Sequence, residues 1–196
     1  MRRVPFGEKG RAGYHRKMNA EARAKNIKVL IFDVDGVLTD GRIYLDGRGN
    51  ELKVFDTKDG HGMRKAAAAG ITICWISGRA SPATARRARE LGVTHCYQGV
   101  RDKALRIEAV RRRLRLTRDE MAAIGDDEPD IPMFQAAALS ACPSDAVPAA
   151  RRYASVVLKS PGGRGAAREF IEMILKRNGQ SGIVTHKPAA EGRRRS

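Results

Sequence analysis

The chain reads as an α/β protein in which helices cover both faces of a central parallel sheet. Three observations predict this. Short apolar runs that suit buried strands alternate with helical stretches between residues 27 and 178, the pattern that builds a parallel sheet. The runs themselves are almost continuously apolar, as strands covered on both sides are. Several end in polar loops, where open α/β sheets present their strand carboxyl ends to a ligand.

The first strand is Ile27 to Phe32, rich in β-branched and aromatic residues. Ile43 to Leu45 and Leu52 to Phe55, separated by the turn-forming "DGRGN", predict a β-hairpin. "DGHGMRKAAAAG" predicts a helix closed by Gly70, and "ITICWIS" a second buried strand that runs into Ser77, Gly78 and Arg79. Ser81 as N-cap and Pro82 in the first helical position open the next helix, which closes near Gly92. His95 to Gln98 is a short strand. In "RDKALRIEAVRRRLRL", Leu105, Val110 and Leu114 stand among charges as on an amphipathic surface helix. "MAAIGDD" repeats the passage from strand to acids; short strands at Leu139 to Ala141 and Ser155 to Leu158 and a helix from about Arg164 to Lys176 complete the chain.

With 196 residues the length suits one domain with a proper core. That domain is expected over 26–178, between basic and flexible extensions at 1–25 and 179–196. Met18 offers a second plausible start. The net charge of +16 is concentrated in those extensions, the first of which holds eight Lys or Arg against two Glu. They lack interleaved aromatics, and the chain carries no helix-turn-helix or zinc-finger pattern, so no specific nucleic-acid partner is expected. No apolar run approaches a membrane span and no signal-peptide core follows the N-terminus, so the protein is expected in the cytoplasm. Cys74, Cys96 and Cys142, odd in number and without CxxC spacing, read as reduced core residues. Trp75 reads as core and His61 as a surface residue.

Three loops at expected strand ends carry Asp33 with Asp35, Ser77, and Asp126 with Asp127 and Asp130. A doubly wound sheet brings such loops to one rim. Carboxylates crowded there repel one another, and a cation among them relieves the repulsion. Hard oxygen donors without a His or Cys cluster point to Mg²⁺. Lys103, at the start of the amphipathic helix, adds a positive charge to the same rim. Acids with a metal, a hydroxyl and a lysine suit a phosphoryl group.

The segments "DVDGVLTD", "ISGR", the lysine of "VRDK" and "GDDEPD" resemble, in order, spacing and strand context, the four motifs of the haloacid dehalogenase superfamily of phosphatases. Over about residues 27–178 the resemblance extends to the 3-deoxy-D-manno-octulosonate 8-phosphate phosphatase branch, on "GVLTDGRIYLD", "KDGHGMR", "GVTHCYQG" and "GGRGAARE". It implies a Rossmann-like domain whose cap is reduced to a β-hairpin, a homotetramer in which neighbours cover one another's sites, and a sugar-acid phosphate substrate from lipopolysaccharide precursor synthesis. It also implies roles for single residues. Asp33 would be the nucleophile and Asp35 the acid and then the base. Mg²⁺ would be held by the side chains of Asp33 and Asp126 and the carbonyl of Asp35, with Asp127 and Asp130 orienting. Ser77 and Lys103 would bind the phosphoryl group, and Arg79, Asp59 and Arg164 the sugar acid. Lys58 before "DG", where the family more often has arginine, and Glu128 within the acidic loop are departures from its pattern. A phosphatase for another nonulosonate phosphate or a broad set of sugar phosphates, and a noncatalytic phosphatase-like module, are the competing readings.

Overall fold

The computed structural model describes residues 26–180. A six-stranded parallel sheet in the order β5-β4-β1-β6-β7-β8 forms its centre. Its strands are β1 (Val29–Phe32), β4 (Thr72–Ile76), β5 (His95–Tyr97), β6 (Met121–Ile124), β7 (Leu139–Cys142) and β8 (Val156–Val157). Strands β2 (Tyr44–Leu45) and β3 (Glu51–Leu52) pair antiparallel as the separate hairpin. The helices are α1 (Thr57–Ala68), α2 (Pro82–Glu90), α3 (Lys103–Arg113), α4 (Ile131–Ala136), α5 (Pro148–Tyr153) and α6 (Ala166–Arg177).

The run "VLIF" of β1 is fully buried, as suits a strand with a parallel neighbour on each edge, here β4 and β6. Side-chain alternation then divides the core between two faces. Leu30, Phe32, Trp75 and Ile124 meet Met63 of α1, Ala88 of α2 and Phe170, Ile171 and Ile174 of α6. Val29, Ile31, Cys74 and Ile76 meet Ile107 and Val110 of α3 and Met133 of α4. Helix, sheet and helix therefore make three layers, as expected from the alternation of elements.

From β1 the chain adds β4 and β5 on one side, then returns to place β6, β7 and β8 on the other. The direction of winding reverses at β1, and the crevice outside the carboxyl ends of β1 and β6 is where such sheets bind ligands.

Three details differ from the sequence reading. The first strand begins at Val29 rather than Ile27, because the Ile27 amide is held by the side chain of Asn178, at 3.2 Å, beyond the end of α6. Helices α4 and α5, of six residues each, had no periodicity long enough to announce them. Leu105 is 71% exposed; the buried residues of α3 are Lys103, Ile107 and Val110, spaced four and three apart on one stripe. Of the expected extensions at 1–25 and 179–196, Gly179 and Gln180 fall among the described residues and the rest lies outside them. The last described residue, Gln180, still donates its side-chain amide to the carbonyl of Ala69, at 2.9 Å.

Candidate active site

Asp33 leaves β1 with its backbone still in the sheet, its amide donating to the carbonyl of Ile124 at 3.0 Å. Its side chain is buried and meets Lys103, whose Nζ lies 2.6 Å from Asp33 Oδ1 and 2.5 Å from Asp130 Oδ1. Lys103 reaches both because Asp102 caps α3, accepting from the Leu105 amide at 2.9 Å, and so turns the first residue of the helix inward. Carboxylate oxygens of Asp33, Asp126 and Asp130 lie within 4.8 Å of one another.

Asp130 has little left to offer a metal. Its Oδ2 accepts from the amides of Asp126, at 2.9 Å, and Asp127, at 3.3 Å, while Oδ1 holds Lys103. Asp127 caps the following turn through a 2.7 Å bond from the Glu128 amide. Asp33, with Lys103 on Oδ1, and Asp126 are the other two members of the cluster.

Burial and the nearby Asp130 push the Asp33 carboxyl up to about 7, against the pull of Lys103. Burial and the charges of Asp33, Asp130 and Asp127 push Asp126 up to about 8. Burial alone would lower the ammonium of Lys103, but Asp33 and Asp130 outweigh it and leave it raised. Crowded, dehydrated oxygens without soft donors fit a hard divalent cation such as Mg²⁺. The cradle also depends on Gly36, whose φ is +93° and whose Cβ, if it had one, would lie 2.1 Å from Asp126 Oδ2.

Residues 97–170 match the haloacid dehalogenase-like hydrolase family. The chain is 39% identical over 159 residues to the 3-deoxy-D-manno-octulosonate 8-phosphate phosphatase of Escherichia coli K12, covering 81% of this chain and 85% of that one. It belongs to the 3-deoxy-D-manno-octulosonate 8-phosphate phosphatase family.

A family member from Yersinia pestis is 41% identical over 153 residues, or 78% of this chain and 82% of its own. The crystal structure of the Moraxella catarrhalis phosphatase, in complex with magnesium ion, phosphate ion and a KDO molecule, superposes with a TM-score of 0.80 at 34% identity, covering 83% of this chain and 93% of that one.

The remaining residues picked out by the family resemblance separate into two groups. Asp35 and Ser77 adjoin the cluster: Ser77 Oγ lies 3.3 Å from Asp35 Oδ2, accepts from the Arg79 amide at 3.1 Å and can donate to the Arg79 carbonyl at 2.9 Å. Arg79 turns to the hairpin, where it pairs with Glu51 at 2.8 Å. Arg164 is exposed in the loop before α6. Its neighbours Gly162 and Gly163 lie flat on the turn after β1, where a Cβ at Gly162 would sit 1.9 Å from the Gly36 carbonyl oxygen.

Asp59 stands apart, because its partners belong to the frame of the fold. It is 3% exposed, in the first turn of α1, and its Oδ1 accepts from the Arg168 amide of α6 at 2.7 Å. Burial pushes its carboxyl up to about 6.

Sequence reasoning passed over Lys53. Its side chain is 3% exposed and forms an ion pair with Asp35 Oδ1. A signal was present in "ELKVF", where Glu51 and Lys53 alternate with Leu52 and Val54. The charged set faces the site and the apolar set faces out, the reverse of the usual arrangement.

Proposed function

We propose that the protein is a Mg²⁺-dependent phosphomonoesterase that hydrolyses 3-deoxy-D-manno-octulosonate 8-phosphate to 3-deoxy-D-manno-octulosonate and phosphate, in lipopolysaccharide precursor biosynthesis. The observation that carries this reading is the placement of Asp33 at the switch point. It is a dehydrated carboxylate facing Asp126 and gripped from behind by Lys103. The relatives named for this reaction support the substrate.

Asp33 attacks the phosphorus in line as the bond from phosphorus to the sugar oxygen breaks, leaving a phosphoaspartate. Asp35 gives its proton to the departing oxygen. It then takes a proton from the water that attacks the phosphoaspartate, which releases phosphate and restores the Asp33 carboxylate. The side chains of Asp33 and Asp126 and the Asp35 carbonyl would hold Mg²⁺, whose positive charge would offset repulsion between nucleophile and ester. Lys103 works in the same sense while keeping the Asp33 carboxylate aimed. Ser77 donates to a phosphoryl oxygen. Asp130 positions both Lys103 and the Asp126 backbone, and Asp127 shapes the turn between them. Arg79 and Arg164 suit the carboxylate of the sugar acid, whose planar oxygens match a guanidinium fork.

The outward face of the hairpin supports assembly into a homotetramer. Ile43, Leu45, Leu52 and Val54 are exposed, Leu45 by 64% and Leu52 by 59%, which is costly unless another surface covers them. A cytoplasmic setting agrees with Cys74, Cys96 and Cys142, which form no disulfide. Among the described residues no helix is long and apolar enough to cross a membrane.

The test is phosphate release from 3-deoxy-D-manno-octulosonate 8-phosphate beside a panel of other sugar phosphates, with Mg²⁺ or with chelator. Selective, metal-dependent release is expected. Release from other esters but not from this one would keep the chemistry and overturn the substrate.

A further inference from the structure

Asp35 has both carboxylate oxygens engaged: Oδ1 by Lys53 and Oδ2 by Ser77. An acid that serves a leaving group needs one oxygen free and the other fixed. The two partners differ in what else they can do. Ser77 has alternative bonds to the Arg79 backbone at 2.9 and 3.1 Å and can turn away from Asp35 towards a phosphoryl oxygen. Lys53 is enclosed, and its ammonium is spent on the carboxylate of Asp35. It follows directly on β3, and the residues two positions away on either side are anchored through their side chains. Two residues before it, Glu51 holds Arg79; two residues after it, Phe55 stacks on the core residue Trp75, ring centroids 6.3 Å apart and planes within 14°.

We propose that Lys53 is a positioning residue for the first half of the reaction: it fixes Asp35 through Oδ1 so that Oδ2 serves the leaving oxygen. This rests on the phosphatase reading above. When substrate enters, Ser77 turns to the phosphoryl group and Oδ2 is released, while the Lys53 pair keeps the carboxyl from rotating. The proton then passes from Asp35 Oδ2 to the sugar oxygen as the bond between that oxygen and phosphorus breaks and the bond from Asp33 to phosphorus forms. Lys53 gains and loses no proton. The hairpin thus contributes to the chemistry from inside the chain, through a side chain that ordinary strand patterning would have turned to solvent.

Leaving groups distinguish this role from simple phosphate binding. A sugar alkoxide needs the proton; p-nitrophenolate, a far better leaving group, does not. The experiment compares kcat/KM, which reports steps up to formation of the phosphoenzyme, for the sugar-acid phosphate and for p-nitrophenyl phosphate. Wild type, Lys53→Met, Lys53→Arg, Asp35→Asn and the double variant Asp35→Asn/Lys53→Met are each measured, with Mg²⁺-induced thermal shifts as a check on the fold.

Lys53→Met is expected to lose roughly 10²-fold on the sugar ester and under about tenfold on the aryl ester. Lys53→Arg should recover part of the sugar-ester loss, and Lys53→Met should add little in the Asp35→Asn background. Equal losses on both esters would make Lys53 a phosphate ligand or a structural residue and overturn the proposal; unchanged rates would do the same. If Lys53→Met fails to fold, Lys53→Arg decides: an equal effect on both esters, or none, overturns it. If wild type cleaves the aryl ester but not the sugar-acid ester, the substrate assignment fails and the comparison runs on whichever alkyl phosphate is cleaved. Cleavage of neither overturns the phosphatase reading and this proposal together.

Discussion

Asp126 can lie over the turn after β1 because residue 36 has no side chain. In Gly36→Ala the new methyl would meet Asp126 Oδ2 at 2.1 Å, and the backbone would be strained at φ +93°. Mg²⁺ affinity should fall by roughly 10- to 100-fold, as it does when the support of a metal ligand is disturbed; titration calorimetry checks this, and unchanged affinity would remove Asp126 from the ligand set. Asp33→Asn keeps the shape of the side chain and replaces the carboxylate oxygen proposed to attack phosphorus. Phosphate release should drop by roughly 10⁴-fold or more, the scale on which loss of a nucleophile is felt. For Lys103→Met the penalty depends on the charge of its partners. Asp33 and Asp130 lose a buried cation, which costs about 3 to 5 kcal/mol where they are ionised. With the Asp33 carboxyl at about 7, urea unfolding should show a larger loss at pH 8 than at pH 5.

At the scale of elements, the turn after β1 and the glycine-rich loop before α6 act as one unit. Gly163 donates its amide to the Val37 carbonyl at 2.9 Å, and Gly162 leaves no room above Gly36. Gly162→Ala meets backbone, which cannot step aside, so kcat should fall and the melting temperature drop by roughly 2 to 4 °C for each kcal/mol of strain. A variant of wild-type rate would break the link between the two loops. This unit was only half legible in the sequence. "DVDGVLTD" announced the turn because two acids straight after an apolar strand are too costly to stand there without a role. "GGRG" announced a loop but not its partner, since nothing in the sequence says which backbone two glycines will touch. The burial of Asp59 was illegible for a related reason: an Asp beside a glycine at the start of a helix reads as exposed, whereas here α6 packs over it. Lys53 was hidden by the usual rule that apolar residues in a strand face inward. The strands β1, β4 and β6 were plain because full burial leaves continuous apolar runs, while the six-residue α4 and α5 are shorter than two helical turns.

The whole molecule carries a proton and metal linkage. Asp33, Asp126 and Asp59 have folded values raised to about 7, 8 and 6, above the ordinary carboxylate range. The folded state therefore holds more protons than the unfolded one, and without metal these groups make stability fall as pH rises from about 4 towards 8. Mg²⁺ favours the ionised forms of Asp33 and Asp126 and should reverse that slope near neutrality. Melting curves at pH 5.5 and 8 should show a larger Mg²⁺-induced gain at the higher pH; equal gains would mean that the cation binds elsewhere. The order of the strands also has a consequence for how the chain is made. Its central strand, β1, leaves the ribosome first, but β6, which completes both its pairing and the acid cluster, follows about ninety residues later. At typical elongation rates one edge of β1 waits roughly 5 to 20 s for its neighbour. Through that interval the nascent chain carries Asp33 and Asp35 without Asp126, so the capacity to capture a cation and cleave an ester arrives only when synthesis of the domain is well advanced.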